Sequence, residues 1–110
     1  MSNFFDELNI AITVCNTDGK VLWMNDKSKS VNKGDFVGQS LLDCHPEPAK
    51  TKLLELLDNH NTNAYTIEKG DVKKLIYQTP WFENGEFAGY VELSIEIPFE
   101  MPHFVRKPKI

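Results

Sequence analysis

The sequence predicts an α+β domain built on a five-stranded antiparallel sheet with helices packed on one face. Three observations predict it. Residues 10–24 read as strand, turn, strand; one helix-period stretch lies near the middle; and three strand-period runs joined by short turns close the chain. Strands joined by tight turns pair antiparallel, because a parallel pair needs a long crossover.

Taken in order, Ser2 is placed to cap a short helix over Asn3 to Leu8, with Asp6 and Glu7 where carboxylates suit the positive end of a helix. Ile10, Ile12 and Val14 then alternate with Ala11, Thr13 and Cys15, the period of a strand buried on one face. Asn16-Thr17-Asp18-Gly19 supplies the reversal, and Val21 to Met24 returns until Asn25-Asp26 breaks the strand. From Asp26 to Asp43 the pattern is irregular, with one helical turn expected over Lys27 to Val31 and a loop punctuated by Gly34 and Gly38. A helix is predicted over Pro46 to Asn59, with a proline in its first turn and Leu53, Leu54, Leu56 and Leu57 forming its apolar face.

Three strands follow, over Ala64–Glu68, Val72–Trp81 and Phe87–Ile97, with turns at Lys69-Gly70-Asp71 and at Asn84-Gly85. Asn-Gly is the strongest short-range hairpin signal. In the last strand Gly89, Val91, Leu93, Ile95 and Ile97 share one face, and Ala88, Tyr90, Glu92, Ser94 and Glu96 the other. Hydrophobicity assigns the first set to the interior, with Glu92 and Glu96 turned to solvent or a partner. Pro98 stops the strand, and prolines between 98 and 108 forbid a helix in the tail.

Bulk properties narrow the function classes. At 110 residues, 41% apolar and 25% charged, the chain makes one soluble domain with a core of its own. No apolar run has the length of a membrane span, and the N-terminus lacks the features of a secretory leader, so a cytoplasmic location with no membrane contact is expected. The net charge of −4 argues against nucleic acid, and the basic cluster Arg106-Lys107-Pro108-Lys109 reads as a solvated end. Cys15 and Cys44 are expected as reduced thiols, since no CxxC spacing occurs and Cys15 lies within a strand.

The runs NTDGKVLWMND (16–26), VGQSLLDCHP (37–46) and KLIYQTPWFENGEFAGYVELSIEI (74–97), in that order, resemble the PAS domain, a sensory module of bacterial signalling proteins. The resemblance covers roughly residues 4–97. It implies an N-terminal helical segment over 1–9, a stand-alone PAS domain over 10–97 and a Pro-rich tail over 98–110. It departs from the PAS pattern in a short first helical crossing and in a tail unable to form an output-linking helix.

What the resemblance implies for function is non-enzymatic sensing. A small ligand or cofactor, unidentified by the residues, would sit in the helix–sheet cleft, with output through homodimerisation or a signalling partner. The cleft residues it implies are Trp23, Phe36, His45, Leu53, Leu57, Tyr65, Tyr77 and Leu93, with Trp81 at the sheet rim. His45, in Cys44-His45-Pro46, is the sharpest of these, either a haem ligand in a gas or redox sensor or a structural residue at a helix entry. The flanks of Cys44 do not match the flavin-reactive cysteine motif of the light-oxygen-voltage branch. Adjacent Cys44 and His45 also make a poor nucleophile pair, because such pairs converge from separate segments. The alternative is an interaction module with a filled core, acting through dimerisation alone; the aromatic residues would then be ordinary packing. No metal-spaced cluster or catalytic carboxylate pair occurs in the sequence.

Overall fold

The computed structural model describes residues 4–109, apart from the side chain of Cys44. Strands β1 (Ala11–Cys15) and β2 (Val21–Met24) form the first hairpin. Helices α1 (Asp26–Asn32), α2 (Leu41–Cys44) and α3 (Ala49–Asn59) follow, then β3 (Asn63–Lys69), β4 (Val72–Glu83) and β5 (Glu86–Ile97). The five strands form one sheet in the order β2-β1-β5-β4-β3, antiparallel throughout. The last strand in sequence thus inserts at the centre, beside the first. Among the described residues no helix is long and apolar enough to cross a membrane.

Local chemistry sets most element boundaries. The Asn16 side chain accepts from the backbone N–H groups of Asp18 and Lys20, both at 2.9 Å, and shapes the first hairpin turn. At the β4–β5 turn, Asn84 and Gly85 both have positive φ, as a two-residue hairpin loop requires. Asn25 is 1% exposed and caps α1. Its Oδ1 accepts from Ser28 N and Ile12 N, and its Nδ2 donates to the carbonyls of Phe5 and Ile10. One amide therefore joins the N-terminal segment, β1 and α1. In α3, the Pro48 N-cap offers no side-chain acceptor, and Glu47 supplies one. The hydroxyl and backbone N–H of Thr51 bond its Oε1 at 2.6 and 2.9 Å and hold the Glu47 carboxyl below its ordinary value, the hydroxyl bond contributing most.

Several expectations need correction. Residues 4–7 form turns rather than a helix, and the proposed Ser2 cap lies outside the described residues. The helical turn expected over Lys27 to Val31 is the longer α1, and the loop expected after it also holds α2. The helix expected from Pro46 begins at Ala49. Within it Leu53 and Leu56 are buried, while Leu54 is exposed.

The most consequential correction concerns the faces of the sheet. Register pairs Tyr90 with Cys15, Glu92 with Thr13 and Gln78, and Ser94 with Ala11 and Ile76, so these residues share a face. It is the face turned to α3, because the Tyr90 hydroxyl reaches the Leu56 and Asn61 carbonyls. Val91, Leu93 and Ile95 occupy the opposite face with Ile12, Val14, Leu75 and Tyr77. Period-two alternation identifies which residues lie together but not which side the helices cover. Here the helices cover the more polar side, and the aliphatic side is outermost, with Val91, Leu93, Ile95 and Ile97 half-buried.

A close approach at the sheet centre depends on Gly89. Its φ is +141°, and a Cβ there would collide with the carbonyl oxygen of Cys15 on the neighbouring strand. Trp81, its cross-strand partner, uses the space, and its indole N–H donates to that oxygen at 3.0 Å. Gly89→Ala is expected to lower stability by roughly 3 kcal/mol or more, from both the collision and the backbone conformation. A urea midpoint equal to that of the parent chain would show that the strands separate there without strain.

Candidate functional site

The sheet and α3 meet firmly at one end only. Tyr90, 4% exposed, places its hydroxyl 2.7 Å from the Leu56 carbonyl and 2.8 Å from that of Asn61, sharing one proton between them. The Leu56 carbonyl also accepts from the His60 N–H at 2.9 Å, so this hydroxyl is its second donor, and it anchors the C-terminal end of α3 and the Asn61 carbonyl just beyond it to the sheet. Beside it the His60 ring stacks on Phe87, with centroids 3.6 Å apart. Cys15, Leu56 and Tyr90 form the core at this point, with Leu41, Leu57 and Phe87 against them.

From that anchor α3 runs past the rest of the inner face and leaves a cavity of about 710 Å³, within the range of small-molecule sites. Its walls are apolar, from Val21, Met24, Phe36, Leu41, Leu53 and Leu56. Exposed Pro48, Ala49 and Lys52 from the start of α3 also border it.

The sheet side of the cavity is polar. Asn63 Nδ2 donates to Gln78 Oε1 at 2.8 Å, and Gln78 Nε2 donates to Glu92 Oε1 at 2.7 Å. Three strands thus contribute to one chain of hydrogen bonds that ends on a carboxylate. Neighbouring acids respond to it. Burial foremost, then the Glu92 charge, push up the Tyr65 phenol. The Cys15 thiol is likewise raised, by burial foremost, against a lowering from the Tyr90 backbone N–H, with Glu92 adding the smallest upward push. His45, which follows α2, lines the cavity and has its Nδ1 buried with no hydrogen-bond partner among the described residues.

This architecture of a sheet in 2-1-5-4-3 order, short helices and one longer helix over a cavity has close counterparts among solved structures. The PAS domain of the histidine kinase ThkA superposes with a TM-score of 0.66 at 16% identity, over 78% of this chain and 97% of that one. The PAS domain of BvgS from Bordetella pertussis gives 0.64 at 18% identity, over 86% and 81%. A sensory box histidine kinase from Vibrio cholerae gives 0.68 at 14% identity, over 88% of each chain. The chain has the PAS fold. No family model and no curated protein matches its sequence.

On the PAS fold the eight expected cleft residues divide evenly. Phe36, His45, Leu53 and Tyr65 line the cavity. Trp23, Leu57, Tyr77 and Leu93 do not. Tyr77 and Leu93 are paired on the outer face, and Trp23 pairs with Val14 on that same side. Leu57, one position beyond Leu56, is rotated about the helix toward the hairpin turn, with its Cδ1 beside Gly19. The polar residues Thr13, Asn63, Gln78 and Glu92 line the cavity without having been expected there. Their signal was the same alternation, once read with the opposite face inward. Of the two cysteines, Cys15 is free and buried.

Tyr90→Phe removes the hydroxyl and leaves two carbonyls at the end of α3 without it. A loss of about 1–3 kcal/mol is expected, with faster hydrogen exchange across residues 49–59 than across β4 and β5. Equal acceleration in helix and sheet would mean that the hydroxyl holds the whole core rather than α3.

Proposed function

We propose that this chain is a non-enzymatic sensory PAS domain that binds a small organic ligand in the cavity and signals through its association with a second copy of itself. The observation that carries this proposal is the cavity: apolar walls, a few convergent polar groups and a buried imidazole nitrogen in need of a partner. Anchoring of α3 at its C-terminal end leaves the N-terminal half as the part that responds to occupancy. Solved domains with the same fold include PAS domains of histidine kinases, which supports a signalling role.

A thermal-shift screen of small metabolites on the purified chain tests the binding. A true ligand at about a hundred times its Kd adds roughly 2.7 kcal/mol, a rise in Tm on the order of 10 °C. Ala49→Trp, at an exposed position on the cavity border, should abolish that rise while the chain stays folded. Absence of any stabilising compound, together with a native mass equal to the bare chain, would favour the interaction module. A Soret band lost in His45→Ala would replace the organic ligand with haem.

Association is assigned to the outer face of the sheet, where Val91, Leu93 and Ile95 form an aliphatic strip beside exposed Tyr77. The exposed Phe5 and Leu8 of the N-terminal segment add apolar surface. Leu93→Lys should turn a dimer into a monomer in light scattering, at a cost of only about 1–2 kcal/mol, because the side chain is half-buried. A parent chain that is already monomeric at tens of micromolar, a concentration on the order at which weak interfaces persist, would refute this assignment.

A further inference from the structure

The charge within the cavity narrows the class of ligand. Glu92 stands on the central strand, half-buried, and none of the ion pairs among the described residues includes it. Its Oε1 takes the N–H of Gln78, while its second carboxylate oxygen takes no hydrogen bond from a described residue. Several other polar groups around the cavity are committed elsewhere. Lys52 is paired with Glu55 at 3.9 Å, Asn32 donates to the Ser28 carbonyl at 2.8 Å, and the Thr13 and Ser28 hydroxyls bond each other. The hydrogen-bond chain from Asn63 through Gln78 runs toward Glu92, so the floor ends in an acceptor.

Resting on the cavity as the ligand site, we infer that its ligand is a small organic cation, an amine or amidine with an aromatic or aliphatic body, whose N–H groups bind the free oxygen of Glu92. A half-buried carboxylate without a counter-charge is unfavourable in the empty protein, and a cation regains that loss on binding. An anion would meet the same field as a penalty. Burial is the main cause of the upward displacement of the Tyr65 phenol and the Cys15 thiol, and the smaller part that Glu92 adds is that field acting on two other groups of the cavity. The Tyr65 ring, which lines the cavity, offers an additional face to a cation. His45 Nδ1 provides a second acceptor in the tautomer that carries its proton on Nε2.

Calorimetric titration of the full chain with tryptamine, tryptophol and indole-3-acetate tests the class, since the three share one aromatic body and differ in charge. Tryptamine should bind at least tenfold more tightly than tryptophol, with indole-3-acetate weakest. Glu92→Gln, which keeps the shape and the Gln78 contact, should bring tryptamine within about twofold of tryptophol without lowering the Tm of the free protein. Ala49→Trp should remove binding of all three. Tryptophol or indole-3-acetate binding as tightly as tryptamine, with Ala49→Trp still blocking it, would overturn the cation and keep the cavity. Tryptamine binding that survives both substitutions would place the amine outside the cavity and overturn the inference. Failure of tryptamine to bind, while the metabolite screen yields a neutral or anionic ligand blocked by Ala49→Trp, overturns the cation alone; an empty screen overturns the cavity with it.

Discussion

The candidate site depends on one hydroxyl group. Tyr90 holds the end of α3 to the central strand by contact with the Leu56 and Asn61 carbonyls, and that contact fixes how far the rest of the helix stands from the sheet. Were α3 packed flat along its length, Leu53 would lie against the strands and the Glu92 carboxylate would be buried with no ion-pair partner among the described residues. A buried Glu92 would then be untenable. Anchored at one end, α3 contributes Leu53 and Leu56 as wall while leaving the floor open to a ligand. The same arrangement explains why an aromatic residue with a polar tip is suited to that strand position: its ring fills the core beside Cys15, and its hydroxyl meets the carbonyls of Leu56 and Asn61 at the end of the helix and just beyond it.

The hairpins were legible because their chemistry is local. Asp18-Gly19 and Asn84-Gly85 demand turn geometry wherever they stand, so the β1–β2 and β4–β5 pairings followed from them, whereas the β1–β5 pairing has no local signal. Helix α2 was missed because its four residues carry no period. The available signal was Ser40, whose hydroxyl accepts from Leu42 N and starts the helix. The N-terminal segment was overread, since a cap and two carboxylates do not outweigh a tether elsewhere: the Phe5 and Asp6 carbonyls are held by the Asn25 side chain and the Asp26 N–H. Local propensity is a weak prior against tertiary bonds of that kind.

The inverted sheet is the more instructive error. Assigning the aliphatic side of β5 to the interior presumes that the interior is filled. A domain whose helix-covered face lines a cavity reverses the rule, because a cavity tolerates polar side chains that a close-packed core would exclude. Four expected cleft residues fell outside the cavity, three of them for this reason, since Trp23, Tyr77 and Leu93 belong to the outer face. Phe36, His45 and Leu53 reach the cavity from the helical side, where strand parity is irrelevant, and Tyr65 reaches it from β3.

The two faces also bear on how a ligand and a partner chain could influence each other. Glu92 and Leu93 are consecutive on β5, one turned to the cavity and the other to the outer surface, and β5 lies between β1 and β4. A strand hydrogen-bonded on both edges cannot shift its backbone at one residue without moving its neighbours, so a backbone displacement at Glu92 is carried into the position of Leu93 and of its partners Ile12 and Tyr77. Three residues away the Trp81 indole, bonded to the Cys15 carbonyl in the space that Gly89 leaves, ties β4 to β1 across the same strand. Just beyond that tie and the Tyr90 anchor, the stretch of β5 carrying Glu92 is the part of the floor where ligand charge acts most directly. Coupling of the proposed site to the proposed interface then needs no separate relay: the strand is common to both, and a ligand shifts association by as much as its affinity differs between the two arrangements of that strand.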